Sequence, residues 1–136
     1  MSEPTGIMLR PLAVMMRQNI QSIGPEATLA EAARKMRSSR VGALWVWDGG
    51  AYVGVVTEAD LVCKAMAEGL DPLQEKVRRI MSSPVITIEI DRSAHEASDL
   101  MAEQAVRHLA VSQDNTIVGI LSVRDLLRYF KNWGTF

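Results

Sequence analysis

Residues 22–61 of this 136-residue chain reappear at residues 87–126 with no insertion or deletion. At this offset of 65 positions Ile23 falls on Ile88, Glu31 on Glu96, Ala32 on Ala97, Met36 on Met101 and Val41 on Val106. Leu44 likewise falls on Leu109, Val46 on Val111, Val53 on Val118, Gly54 on Gly119, Asp60 on Asp125 and Leu61 on Leu126. A unit of about 60 residues buries only a modest core by itself, so two tandem copies are expected to dock and to create clefts between them. The length suits one compact domain, or two half-domains sharing an interface, better than two independent domains.

Composition removes several function classes. With 48% hydrophobic and 23% charged residues the chain has globular composition. A net charge of −1 gives no basic field for a phosphate backbone, so nucleic acid is not an expected partner. Cys63 has no second cysteine to pair with, and nothing upstream of Ile7 resembles a secretion signal, so a cytoplasmic location is expected. Apolar runs such as residues 43–47 and 109–111 are far shorter than the roughly 20 residues a bilayer requires, and no membrane partner is expected.

Local patterning gives each copy the order β-α-β-β-α. Residues 1–6 read as a frayed terminus. Ile7, Leu9, Leu12, Val14 and Met15 are spaced for one face of a short helix or turn, interrupted by Pro11, and an extended segment at residues 20–23 is closed by Gly24-Pro25. Thr28-Leu29-Ala30-Glu31 fits a capping box that Leu29, Ala32, Ala33 and Met36 continue as a helix. Ser93-Ala94-His95-Glu96 repeats it with Ala97, Leu100 and Met101. Residues 44–47 and 52–56 flank Asp48-Gly49-Gly50 as a hairpin, and residues 109–111 and 117–121 flank Asp114-Asn115 as its copy. Each hairpin runs into a helix, at Thr57 or at Ser122. Gly69-Leu70-Asp71-Pro72 ends the first copy, and residues 77–81 mirror Val14-Met15 ahead of the second. The expected division is an N-terminal segment 1–12, a first repeat 13–70, a short ordered linker 71–79 and a second repeat with its tail, 80–136.

The most telling local pattern is Gly54-Val55-Val56-Thr57-Glu58-Ala59-Asp60 with its copy Gly119-Ile120-Leu121-Ser122-Val123-Arg124-Asp125. A strand ends and a helix begins with a hydroxyl and a carboxylate three residues apart. That brings a hydroxyl, unpaired helix N-terminal amides and a carboxylate to one point, which suits a ligand with two adjacent hydroxyls such as a ribose. The plainer alternative is that Thr57 with Asp60, and Ser122 with Asp125, are only helix caps. The two roles are compatible.

Tandem β-α-β-β-α units that each close in Gly-h-h-(Thr/Ser)-x-x-Asp, with h apolar, resemble a pair of CBS motifs, the modules named after cystathionine β-synthase. The resemblance runs over residues 14–129. It implies an α/β (α+β) fold in which the two motifs pack through their sheets with pseudo-twofold symmetry into one disk-like module with two clefts. It further implies that such clefts hold adenosine-based ligands, sensed and not transformed. Carried onto this sequence, the family's ribose positions fall on Thr57 and Asp60 in one cleft and on Ser122 and Asp125 in the other. Its first-strand positions, which approach base and ribose, fall on Ser22-Ile23 and Thr87-Ile88. A basic pair that approaches phosphate in the family is matched by Arg107-His108, whereas the first copy has Gly42-Ala43.

That departure makes the Asp125 cleft the stronger candidate, since Arg107, His108 and Arg124 can offer charge-assisted bonds that the Asp60 cleft lacks. Trp45 stands where the second copy has Ala110 and the family often has a cleft-lining proline; it can stack on a base or fill the space. Trp45 and Trp47 are expected on one strand face, packed in a core or an interface. Cys63 is expected to be a buried, inert thiol and His95 a surface residue; with His108 they make no metal spacing. No P-loop, nucleophile elbow or dinucleotide fingerprint occurs, and no catalytic residues are expected. Four aromatics in residues 129–136 form a cluster for self-packing or for a neighbouring subunit.

The function these features predict is a regulatory module with no required cofactor. It would bind AMP, ADP, ATP or an S-adenosylmethionine-like ligand and signal occupancy to an effector protein, and by the resemblance it would be a homodimer. The alternative is a scaffold or interaction protein that uses the pair for dimerisation with its clefts empty or plugged.

Overall fold

The computed structural model describes residues 11–132; the expectations for residues 1–10 and for Trp133, Gly134, Thr135 and Phe136 lie outside the described residues. The fold is mixed α+β, with two three-stranded sheets of identical topology. In chain order the elements are α1 (Pro11–Met15), β1 (Ser22–Ile23), α2 (Leu29–Ser39), β2 (Ala43–Asp48), β3 (Ala51–Thr57) and α3 (Glu58–Asp60). A π-helical turn (Leu61–Met66) continues α3, and α4 (Val77–Ile80) follows. The second copy runs through β4 (Thr87–Glu89), α5 (Ala94–Gln104), β5 (His108–Gln113), β6 (Thr116–Ser122) and α6 (Val123–Asn132).

In each sheet the first strand pairs in parallel with the second, and the second pairs antiparallel with the third. The expected hairpins are present, with Gly49 and Gly50 turning the first and Asp114 and Asn115, both at positive φ, turning the second. Each hairpin carries one register shift, between Val46 and Trp47 and between Val111 and Ser112. Ser93 and Glu96 form the complete capping box, and the Ser93 N–H followed by its hydroxyl holds the Glu96 carboxyl below its ordinary value. Thr28 accepts only the Glu31 N–H. The first amides of α2 are taken up by the linker instead, where Leu29 donates to Glu75 O and Ala30 to Pro72 O. Both helices end in a non-glycine residue in the left-handed region, Arg40 and Ala105.

The compact units cut across the order of the repeats. One is made of residues 20–85; the other joins residues 11–19 to residues 86–132. In the first unit, Val77 and Ile80 of α4 lie in a core with Leu29, Ala32, Met36, Leu44, Val46 and Val56. In the second, Leu12 of α1 lies in a core with Ala97, Met101, Leu109, Val111, Leu121, Leu126 and Phe130. The short helix that precedes each repeat in sequence therefore packs on the sheet of the other repeat. Val14, expected on the buried face of α1, is exposed, because the short helix buries Pro11 and Leu12 and turns Val14 away.

Each leader is also clipped to a strand. Ser82 and Val55 exchange two backbone hydrogen bonds of 2.9 Å, and Arg17 and Ile120 exchange bonds of 2.8 and 2.9 Å. Gly54 and Gly119, one residue earlier on the strands, make this approach possible. A Cβ on Gly54 would lie 2.7 Å from Ser82 O, and one on Gly119 would lie 2.6 Å from Met16 Sδ and 3.1 Å from Arg17 O.

Gly54→Ala should destabilise by about 1–3 kcal/mol, the ordinary cost of overpacking, because it meets a backbone carbonyl. Gly119→Ala should cost less, since the closest obstruction is a flexible thioether. Urea midpoints followed by circular dichroism rank the two variants. A Gly119→Ala cost equal to or above that of Gly54→Ala would show that the backbone clip is not what the glycine protects.

Candidate functional site

The strand-to-helix corner of each unit is built from one hydroxyl and one buried carboxylate. At the end of β3 the Thr57 N–H donates to Asp60 Oδ2 (2.9 Å) and the Asp60 N–H donates to Thr57 Oγ1 (3.1 Å). At the end of β6 the Ser122 N–H and hydroxyl both donate to Asp125 Oδ2 (2.9 Å each), and the Asp125 N–H donates to Ser122 Oγ (3.2 Å). Capping is thus real at both corners, and it occupies one carboxylate oxygen in each.

The other oxygen holds a cation, and here the corners diverge. Asp60 Oδ1 faces Lys64 Nζ at 3.1 Å, one helical turn on; Lys64 also donates to Ile80 O and Ser82 Oγ (3.2 Å each). Asp125 Oδ1 instead accepts from Arg17 Nε at 3.3 Å, and Arg128 Nη1 stands 3.9 Å away. Position 129, the counterpart of Lys64, is Tyr, and position 82, the counterpart of Arg17, is Ser. The first corner draws its cation from its own helix, and the second draws its hydrogen-bonded cation from the leader, with Arg128 of its own helix farther off. Burying a carboxylate without such a partner is costly, which accounts for a cation at both.

Sequence reasoning missed Arg17, Lys64 and Ser82. The signal was present in the alignment of the copies, where Lys64/Tyr129 and Arg17/Ser82 exchange the cationic member. Reading it needed the knowledge that residue 17 packs beside residue 125.

A second difference lies at the start of the hairpin. The Glu58 N–H donates to Gly42 O and the Val123 N–H donates to Arg107 O, both at 3.0 Å, so these pairs sit alike in the two units. A Cβ on Gly42 would lie 3.2 Å from Glu58 Oε1. The first corner thus carries an acid where the second carries Arg107. Arg107 and Arg124 are exposed and form no ion pair with Asp125 among the described residues, while His108, half-buried, lies opposite Ser122 in the β5–β6 ladder.

The first-strand residues divide. Ser22 and Ile23 are half-buried beside Trp45 and Val46 in the ladder, and Lys35 Nζ donates to Ser22 O. Ile88 is buried in the core of its unit, whereas Thr87 is exposed. Both line a groove of about 430 Å³ between β4 and α5, whose walls hold Glu89, Arg92, Glu96, Asp99, Leu100 and Glu103, and neither Ser122 nor Asp125.

The two tryptophans part company. Trp45 is 1% exposed and its Nε1–H has no hydrogen-bond partner among the described residues. Trp47 is 44% exposed near the hairpin turn, edge-on to Tyr52 at 4.8 Å, and so is not the packed residue expected. Cys63 is exposed, not buried as expected. It sits in the π-helical turn, whose wider winding (Ala67 N–H to Val62 O) buries Ala65 there. His95 is exposed as expected, 4.9 Å from the Phe130 ring. Among the described residues no cluster of three metal-ligating side chains occurs, and no helix is long and apolar enough to cross a membrane.

The model of the family described as CBS domain matches twice, at residues 12–66 and 77–132. An uncharacterized protein of Methanopyrus kandleri is 35% identical over 114 residues; the match covers 82% of this chain, which spans 58% of that relative. A solved structure from Burkholderia ambifaria, of a protein with CBS domains named for signal transduction, superposes with a TM-score of 0.82 at 28% identity over 88% of each chain. A hexameric CBS-CP12 protein from bloom-forming cyanobacteria superposes with a TM-score of 0.80 at 31% identity, covering 90% of this chain and 70% of that one.

Moving the cation tests the account of the two corners. Arg17→Ser should cost about 1–2 kcal/mol, a charge-assisted bond discounted for the exposure of the guanidinium. Adding Tyr129→Lys should recover about half of that, read as a favourable coupling in a double-mutant cycle by urea unfolding. Strict additivity would mean that the Asp125 corner needs no cation from either source.

Proposed function

This chain belongs to the CBS-domain family, and we propose that it is a non-catalytic regulatory module that binds an adenosine-based ligand at the Asp125 corner and signals occupancy to a partner protein. The supporting observation is the capping-box carboxylate of Asp125, held by Ser122 and flanked by Arg17, with Arg107 and His108 at the adjoining start of the hairpin. A carboxylate can accept both hydroxyls of a ribose, and neighbouring cations suit a phosphate. AMP, ADP and ATP fit that description, as does S-adenosylmethionine at the ribose alone. Regulation then follows from differential affinity: the ligand favours whichever arrangement of the chain gives it more contacts. We further propose a homodimer acting in the cytoplasm.

One observation favours a scaffold that binds no ligand. Trp45 fills its own surroundings to 1% exposure, and the first corner has Gly42 beside the Glu58 carboxylate where the copy has Arg107 and Val123. The hexameric CBS-CP12 relative shows that a protein similar to this one assembles into oligomers.

A thermal-shift panel of AMP, ADP, ATP, S-adenosylmethionine and adenosine separates the two. Ligand at a hundredfold above Kd should add about 2.7 kcal/mol, or roughly 10 °C for a domain of this size. Asp125→Ala should remove the shift while Asp60→Ala leaves most of it. No shift with any compound supports the scaffold, and loss of binding in Asp60→Ala alone would move the site to the other corner.

A further inference from the structure

Asp125 is the residue a ribose would need, yet its side chain is only 2% exposed, so no ligand reaches it until a covering group moves. Its Oδ2 is committed to the Ser122 N–H and hydroxyl. These bonds belong to the helix cap and form between residues three apart in sequence. Oδ1 accepts one hydrogen bond, from Arg17 Nε at 3.3 Å with the Arg17 side chain 49% exposed, while Arg128 Nη1 stands beyond hydrogen-bond reach at 3.9 Å. The bond between the two is thus single, long, and made from a half-solvated guanidinium, which makes Arg17 the group most easily displaced. Its backbone is meanwhile fixed by the two bonds to Ile120, so a displaced guanidinium swings about a tethered root and stays beside the corner.

Building on the reading of Asp125 as a ribose site, we propose that Arg17 is its gate and its selector. The hydroxyls of an incoming ligand replace the guanidinium on Oδ1, and the freed fork pairs with an anionic group on the same ligand. A guanidinium offers two parallel N–H donors to a phosphate, a geometry that a neutral nucleoside cannot use and a cationic ligand opposes. The ligand class at Asp125 is therefore the phosphorylated nucleoside, over both free nucleosides and S-adenosylmethionine, whose sulfonium repels Arg17. The Asp60 corner has Ser82 in place of Arg17, and its cation, Lys64, is a point charge without the fork.

Isothermal titration with AMP, adenosine and S-adenosylmethionine on the wild-type chain, Arg17→Gln and Arg17→Lys tests the assignment. The wild type should prefer AMP over adenosine by roughly 10- to 100-fold, the worth of one charge-assisted contact. Arg17→Gln should reduce that preference to within about threefold and bind adenosine at least as tightly as the wild type, because the hydroxyls no longer displace a cation. Arg17→Lys, which keeps the charge without the fork and guards against a folding defect in the neutral variant, should retain part of the preference. An unchanged AMP-to-adenosine ratio in Arg17→Gln overturns the role of Arg17 and leaves the ribose site standing. A wild-type chain that binds none of the three overturns both.

Discussion

The segment ahead of each repeat crosses so close to its strand that a Cβ on Gly54 would meet Ser82 O and one on Gly119 would meet Met16 and Arg17, so the two glycines make room for the paired backbone bonds. The rest of both corners depends on it. The clip sets Ser82 against Val55 and Arg17 against Ile120, and so decides what stands next to each buried carboxylate. Because residue 82 is Ser, the first carboxylate takes its cation from Lys64 of its own helix; because residue 17 is Arg, the second takes its hydrogen-bonding cation from the leader, with Arg128 of its own helix farther off. The two corners share their caps and differ in which segment of chain supplies their charge.

This division separates what the duplication conserved from what it released. The Gly-h-h-(Thr/Ser)-x-x-Asp pattern caps α3 and α6, and the proposed ribose site would use the same residues. Substitution around it was free to change the electrostatics without touching the cap. Gly42 with Glu58 against Arg107 with Val123 is one such change, and Lys64 with Ser82 against Tyr129 with Arg17 is another. Both changes give the second corner the cation that does not come from its own helix.

What was legible in the sequence was local. Hairpins followed from turn residues and alternation, the Ser93–Glu96 box from a spacing of three, and the repetition of one sheet topology from an ungapped offset. What escaped was anything that needed to know which copy a segment joins. Leu12 and Val77 are both apolar and both suit either sheet, so their exchange left no mark in the pattern. Arg17 lies 108 residues from the carboxylate it serves, beyond the reach of any motif. Cys63 was misplaced because a π-helical turn rotates side chains away from the positions that a 3.6-residue period assigns. Trp47 kept its strand but sits near the exposed hairpin turn.

The exchange of leaders imposes an order on synthesis. Residues 20–85 are one continuous run and can close on themselves, α4 included, as soon as they leave the ribosome. The other unit cannot, because its first piece is made before residue 20 and its last after residue 120. Leu12 and Arg17 must then wait unpaired while about a hundred residues are added, on the order of 5–20 s at ordinary elongation rates. Their proper seat does not yet exist, while the similar seat in the nascent first unit does. The half of the chain that carries the better candidate site is thus the last to be completed, and α4 has to win its place on the first sheet against a look-alike made earlier.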